Sequence, residues 1–277
     1  MSTWHADDRP AVPRLDTRAR LRVGLRLVPL AALVFGGLVV LLAMRLVERP
    51  IFGRGRPWTP AVTQVVCRNA FRIMGLGVRT QGRPMTCPGA VVANHSSWLD
   101  IFALNAPQRV YFVAKAEVAG WPGIGWLARA TGTVFIARDR RAARGQVATF
   151  RARLAQGHTL AFFPEGTSTD GRRVLPFKPT LFEAFFDPAL RAGMRIQPVS
   201  VIYRTPPGAD PRAYGWWGDM DFVPHLLATL AQHPQGQVTV RYHAPVAVAD
   251  FADRKALAAV LERAVRDGLH AAGGADA

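Results

Sequence analysis

The chain of 277 residues is 49% hydrophobic and 19% charged, a composition that buries enough apolar surface to offset chain entropy and so excludes a disordered chain. Its 35 Lys+Arg against 19 Asp+Glu give a net charge of +16, and only three of those cations are lysines, Lys115, Lys178 and Lys255. An arginine-rich surface of this kind suits nucleic acid or an anionic membrane face, and composition alone does not choose between them.

Taken in chain order, the first 19 residues, with Pro10 and Pro13, read as a flexible tail. From Leu27 to Met44 run 18 residues without a charge. As a helix they would measure about 27 Å, close to the hydrocarbon thickness of a bilayer. The stretch is too long and too late for a signal-peptide core, and no small-residue cleavage site follows it. Arg9, Arg14, Arg18, Arg20, Arg22 and Arg26 precede it; Arg45, Arg49, Arg54 and Arg56 follow. The positive-inside asymmetry therefore nearly cancels. One geometry satisfies both flanks: a segment that dips in and returns, bent at Pro29 or at Gly36-Gly37. A second helix over 59–76, with Val62, Val65, Val66, Phe71, Ile73 and Met74, would lie in the interface. Residues 20–76 are thus expected to form a membrane-anchoring helical pair, re-entrant or spanning. The expected location is the inner (cell) membrane, with the rest of the chain facing the cytoplasm.

Residues 77–277 are expected to form one domain. Short apolar runs over 90–93, 110–114, 133–137, 159–163, 196–203 and 238–242 read as strands of a sheet covered on both faces. Between and after them, 98–105, 124–131, 141–156, 180–186, 223–232 and 255–271 read as helices. The alternation predicts an α/β fold with a mixed central sheet flanked by helices. Cys67 and Cys87 fall in no CxxC or CxxH spacing; neither a disulfide framework nor a metal site is predicted.

Two stretches carry chemistry. Val91-Val92-Ala93-Asn94-His95-Ser96-Ser97-Trp98-Leu99-Asp100 is a strand running into a helix. His95 would stand at the strand's end, where open α/β sheets place their sites. With Ser96 or Ser97 as N-cap, Asp100 lies on the first helical turn and reaches back to the imidazole. A carboxylate on one ring nitrogen fixes the tautomer and leaves the other as a base. That arrangement deprotonates a substrate hydroxyl without a protein nucleophile. The bland alternative is a capping serine beside a structural histidine. The second stretch, Leu160 to Gly171, is again a strand ending in a turn, Phe163-Pro164-Glu165-Gly166-Thr167. Its backbone N–H groups and Thr167 suit an anionic or polyhydroxy head group; Glu165 is either part of such a site or a buried structural carboxylate.

The blocks NHSSWLD at 94–100 and FPEGT at 163–167, with Gly132-Thr133-Val134-Phe135-Ile136-Ala137-Arg138 between them and Gln197-Pro198-Val199 after them, resemble the glycerolipid acyltransferase family. The order matches and the resemblance covers about residues 85–205. It implies a general-base role for His95, an orienting role for Asp100, and an acceptor-binding region of Arg138, Glu165, Gly166 and Thr167. It implies a lysolipid O-acyltransferase whose donor is acyl-acyl carrier protein or acyl-CoA, with no cofactor and with a membrane lipid as acceptor. Enzymes acting on lysophosphatidate usually carry Arg directly after FPEGT. Here that position is Ser168, although Arg172 and Arg173 lie nearby. The block FPEGTSTDG and the later Tyr214-Gly215-Trp216-Trp217-Gly218-Asp219-Met220 resemble the lyso-ornithine lipid O-acyltransferase branch, with lysophosphatidate as the alternative or an additional acceptor. A serine hydrolase is excluded, because the chain contains no GxSxG elbow. A nucleic-acid partner is not expected: the arginines are scattered and ten of them flank the apolar stretch.

Overall fold

The computed structural model describes residues 4, 10, 15–53, 55–136 and 143–273. The first helix, α1 (Thr17–Phe52), starts inside the expected tail, because the Asp16 carboxylate accepts a hydrogen bond from the Ala19 N–H at 2.7 Å and caps it. It continues unbroken through Pro29 and Gly36-Gly37, so none of these residues ends it. Gly37 serves a different purpose: a Cβ there would stand 2.4 Å from Val66 Cγ2, and its absence lets α2 (Thr59–Met74) pack closely. Leu21, Leu25, Val28, Phe35, Val39 and Leu46 form an exposed apolar stripe along α1, while Val23, Leu30 and Leu41 are buried against the protein. A helix apolar on both sides has no ordinary place on an aqueous surface. It is long and apolar enough to cross a membrane, and only 11% of its most apolar window is buried in the protein.

Several polar groups of this helical pair turn inward. Glu48 is fully buried and accepts from the Trp58 and Thr59 N–H groups, the Thr59 hydroxyl and Arg45, closing the turn between the two helices. Arg22 and Arg26 donate to the carbonyls of Leu230, Ala231 and Gln232 at the C-terminus of a later helix, α7 (Phe222–Ala231), where cations meet the unsatisfied carbonyl end.

The domain is a mixed sheet. Its strands are β1 (Gly77–Gln81), β2 (Gly89–Ala93), β3 (Tyr111–Lys115), β4 (Val134–Ile136), β5 (Thr159–Phe162), β6 (Arg195–Arg204), β7 (Gln237–Tyr242) and β8 (Val246–Ala247). The spatial order is β1-β7-β6-β2-β5-β3-β4, with β8 against β6. The run β6-β2-β5-β3-β4 is parallel, whereas β7 and β8 are antiparallel to β6 and β1 is parallel to β7. The remaining helices are α3 (Leu99–Asn105), α4 (Ile124–Thr131), α5 (Ala143–Leu154), α6 (Pro188–Arg191) and α8 (Arg254–Gly273), and the segment expected to be helical over 180–186 is a 3-10 helix, Pro179–Phe186. Alternation along β2 separates the two faces. Val91 and Ala93 join Phe71, Met74, Val199 and Leu230 in one core, while Ala90 and Val92 join Phe162, Phe182, Ile202, Leu261 and Val265 in the other. The parallel strands β2 and β5 end at the same edge of the sheet, and the two motif stretches follow from those two ends.

Candidate active site

Where β2 ends, Asn94 continues its pairing with a side chain. The Asn94 carboxamide accepts from the Val201 N–H at 2.8 Å and donates to the Val201 carbonyl at 2.9 Å, so a fully buried amide is satisfied while the backbone leaves the sheet. His95 comes next and its Nδ1 stands 2.7 Å from Asp100 Oδ2. The helix carrying Asp100 is assigned from Leu99, later than a Ser96 or Ser97 cap would place it. The relation between cap and carboxylate is inverted: Asp100 Oδ2 accepts from the N–H groups of Ser96 and Ser97 at 2.7 and 3.0 Å. Its Oδ1 accepts from the Tyr203 hydroxyl at 2.8 Å. Four donors thus satisfy a carboxylate with no exposed surface, which is what burying such a group requires.

Nδ1–H donating to Asp100 fixes the His95 tautomer with a lone pair on Nε2. The His95 side chain is 22% exposed, and one face of the ring stacks on Phe163 with centroids 4.0 Å apart. Burial pushes the Tyr203 phenol well above its ordinary range, with the neighbouring Asp100 adding to the effect, so the hydroxyl keeps its proton and remains a donor.

The second motif is tied to the first through the backbone of His95. Glu165 is buried, and its two oxygens accept from the His95 N–H and the Leu175 N–H, each at 2.7 Å. Thr169 N–H donates to the His95 carbonyl at 2.9 Å. Burial pushes the Glu165 carboxyl up to about 8, opposed by those two N–H groups. Of the two roles open to Glu165 from sequence, its contacts are those of a structural carboxylate holding the two loops together. Gly166 takes φ +70°, so this turn needs glycine for its conformation, and the end of the flexible Lys178 side chain lies 2.6 Å from where a Cβ would stand. Thr167 is half-buried, with the Trp4 N–H 3.5 Å from its hydroxyl. The Trp4 ring lies 5.9 Å from that of Trp217 and 5.1 Å from the Arg173 guanidinium. Arg173 is paired with Asp170 at 3.0 Å. The loop after β6 closes the same side, Trp216 N–H donating to the Ser96 carbonyl at 2.8 Å.

His95, Asp100, Glu165, Gly166 and Thr167 are therefore gathered at one edge of the sheet; Arg138 lies outside the described residues. Among the described residues no three His, Cys, Asp or Glu side chains gather as metal ligands. Tyr203, Lys178, Trp4 and Trp216 were not singled out from the sequence for the contacts they make. Tyr203 alone carried a signal, a polar-tipped aromatic near the end of a central strand. The others reach the site only through loop packing. A fixed imidazole whose Nε2 has no hydrogen-bond partner among the described residues, at an open sheet edge, is equipped to take a proton from a hydroxyl.

A family model described as acyltransferase matches residues 78–202. The chain is 55% identical to the lyso-ornithine lipid O-acyltransferase of Rhodobacter capsulatus, over 96% of this chain and 96% of that one. It is 34% identical to the 1-acyl-sn-glycerol-3-phosphate acyltransferase of Neisseria meningitidis, over 64% and 67% of the two chains. The fold is similar to the crystal structure of the 1-acyl-sn-glycerophosphate acyltransferase PlsC from Thermotoga maritima, with a TM-score of 0.62 and 23% identity over 92% of this chain and 96% of that one.

Proposed function

We propose that this chain, which belongs to the acyltransferase family, moves a fatty acyl group from a thioester donor to the free hydroxyl of lyso-ornithine lipid. The observation that carries the chemistry is the 2.7 Å contact between His95 Nδ1 and Asp100 at the open edge of the sheet. His95 Nε2 takes the proton of the acceptor hydroxyl as its oxygen attacks the thioester carbonyl. The tetrahedral adduct collapses, the C–S bond breaks, and the imidazolium returns the proton to the departing thiolate. The products are an ester and a free thiol. Asp100 supports the positive ring while it exists, and Tyr203 together with the Ser96 and Ser97 N–H groups holds Asp100. Glu165, Gly166 and Thr167 shape the acceptor side, Glu165 from inside the turn, and Arg138 is the remaining acceptor-binding candidate. The co-substrate is acyl-acyl carrier protein or acyl-CoA, and no cofactor is required. The apolar α1 supports a place at the inner membrane with the catalytic domain facing the cytoplasm, where the acceptor lipid is met.

End-to-end likeness to the Rhodobacter enzyme favours lyso-ornithine lipid as acceptor. So does Ser168 in place of an arginine, since a phosphate monoester is best met by a bidentate guanidinium, and Arg173 is already paired with Asp170. Likeness to the Neisseria enzyme favours lysophosphatidate as a second acceptor. The test is turnover by the purified chain of both lipids, each with both donors. Faster acylation of lyso-ornithine lipid is expected. Acylation of lysophosphatidate alone would reject the reading.

A further inference from the structure

The chain has seven tryptophans. Four of them, Trp4, Trp98, Trp216 and Trp217, are buried or half-buried. The three exposed ones are Trp58 at 42%, Trp121 at 44% and Trp126 at 62%. Trp58 lies on the turn between α1 and α2; the other two lie on the segment after β3, a 3-10 helix Ala116–Gly120 followed by α4. These two places meet. Arg56 donates from Nη1 to the Ala130 carbonyl at 2.6 Å, and α4 packs against both α1 and α2. The three exposed tryptophans thereby lie on two segments that touch each other, one of which packs against α1. Exposed Phe52 lies edge-on to Trp58 at 5.1 Å, and Arg49 and Arg129 are exposed on the same two segments.

The segment also has a defined relation to the site. β3 runs parallel to β5 and β5 to β2, so the segment leaves the sheet after Lys115 at the edge where His95 stands, with one strand between them, about 10 Å away; α4 then runs back toward the start of β3, where Gly132 lies against Arg56 and Tyr111. Singly exposed tryptophans need no explanation, but a contiguous apolar patch does. Tryptophan with arginine at the margin of an apolar surface is the composition of a membrane–water interface.

We propose that the segment Ala116–Thr131 is a second lipid-contacting surface. Trp121 and Trp126 sit in the head-group layer of an anionic bilayer, Trp126 one helical turn from the Ala130 that meets the α1–α2 turn and Trp121 nearer the end of the segment that leaves the sheet beside His95. The partner is lipid rather than another protein because α4 packs against α1 and α2, the helices read as lying in the bilayer, and the exposed Arg49 and Arg129 suit anionic head groups. The inference rests on the reading that α1 lies in the bilayer.

The experiment uses the full chain with Cys87→Ser; the other cysteine, Cys67, is buried. Trp126→Cys is labelled with an environment-sensitive fluorophore and the protein is placed in nanodiscs of phosphatidylcholine and phosphatidylglycerol. Blue-shifted emission, quenched by nitroxide-bearing lipids, is expected. The same label at Val39→Cys, on the α1 stripe, separates the two ideas. If Val39 reports lipid and Trp126 reports water, the second surface is refuted and the α1 reading stands. If both report water, both fall. Emission at Trp126 that shifts on adding acyl carrier protein, and not with lipid, would assign the patch to a protein and overturn the proposal. In activity, Trp121→Ser/Trp126→Ser should raise KM for acceptor lipid in nanodiscs about tenfold and leave turnover of detergent-dispersed acceptor unchanged. Unchanged KM in nanodiscs would equally overturn it.

Discussion

Asp100 is held on four sides: His95 and Tyr203 through side chains, Ser96 and Ser97 through backbone N–H groups. The proposed base depends on this, since a carboxylate free to turn would leave the imidazole free to flip. His95→Ala should leave the chain folded and lower acyl transfer about 10²–10⁴-fold; near-normal turnover would sink the mechanism. Tyr203→Phe removes one donor from Asp100 and keeps the ring. Asp100 is then held by three donors and orients the ring less firmly, so kcat should fall several-fold with KM nearly unchanged; an unchanged kcat would mean that the hydroxyl only fills space. Glu165 gives a stability signature instead. Its carboxyl is pushed up to about 8 in the folded chain from an ordinary 4.5. Between those values the folded state keeps a proton that the unfolded state has released, so stability falls as pH rises through that window. Glu165→Gln should flatten the fall in unfolding midpoint between pH 5 and 8. At this scale His95 and Asp100 were legible because their spacing and the strand before them suffice. The Tyr203 contact was not, because 103 residues separate it from Asp100 and only the pairing of β6 with β2 brings it there.

At the scale of elements, Gly37 and Val66 decide how the helical pair packs. Val66 is β-branched and stiff in a helix, so it cannot swing away from a new Cβ. Gly37→Ala should lower the stability of the detergent-solubilised chain by about 1–3 kcal/mol. Val66→Ala, harmless or mildly destabilising alone, should restore most of that loss in the double variant; thermal unfolding of the four proteins measures the coupling. From the sequence these glycines read as a bend, because glycine pairs often kink helices and no partner surface was in view. The strands of the interior were legible as apolar runs, with ends misplaced by a residue or two. β1 and β8 were not. Gly-Val-Arg-Thr-Gln is an edge strand with mostly exposed side chains, and β8 has two residues, so neither carries an apolar period.

At the scale of the molecule, the helical pair is no detachable anchor. Phe71, Met74, Val23 and Leu30 share a core with Val91, Val199 and Val238 of the sheet. A chain beginning at residue 77 uncovers that face, and it should aggregate even in detergent; a monodisperse, cooperatively folding truncation would show the two parts to be independent. Acceptor choice also belongs here, since the FPEGT turn, the loop after β6 and residue 4 of the N-terminus converge on one place. Ser168→Arg should shift the turnover ratio toward lysophosphatidate through one added charge-assisted contact. An unchanged ratio would place head-group recognition elsewhere.

The sequence by itself determined the class of fold, the helical pair, the two motif stretches and the resemblance they carry. Each of these rests on local pattern: apolar period, uncharged length, and residues five apart around a strand end. Tertiary structure alone decided how the pieces serve one another. It set Glu165 inside the turn as a tie between the two loops, Tyr203 behind Asp100, and the exposed tryptophans of two distant segments side by side. A buried carboxylate or phenol must find its partners wherever packing supplies them, and that geometry is written in no stretch of neighbouring residues.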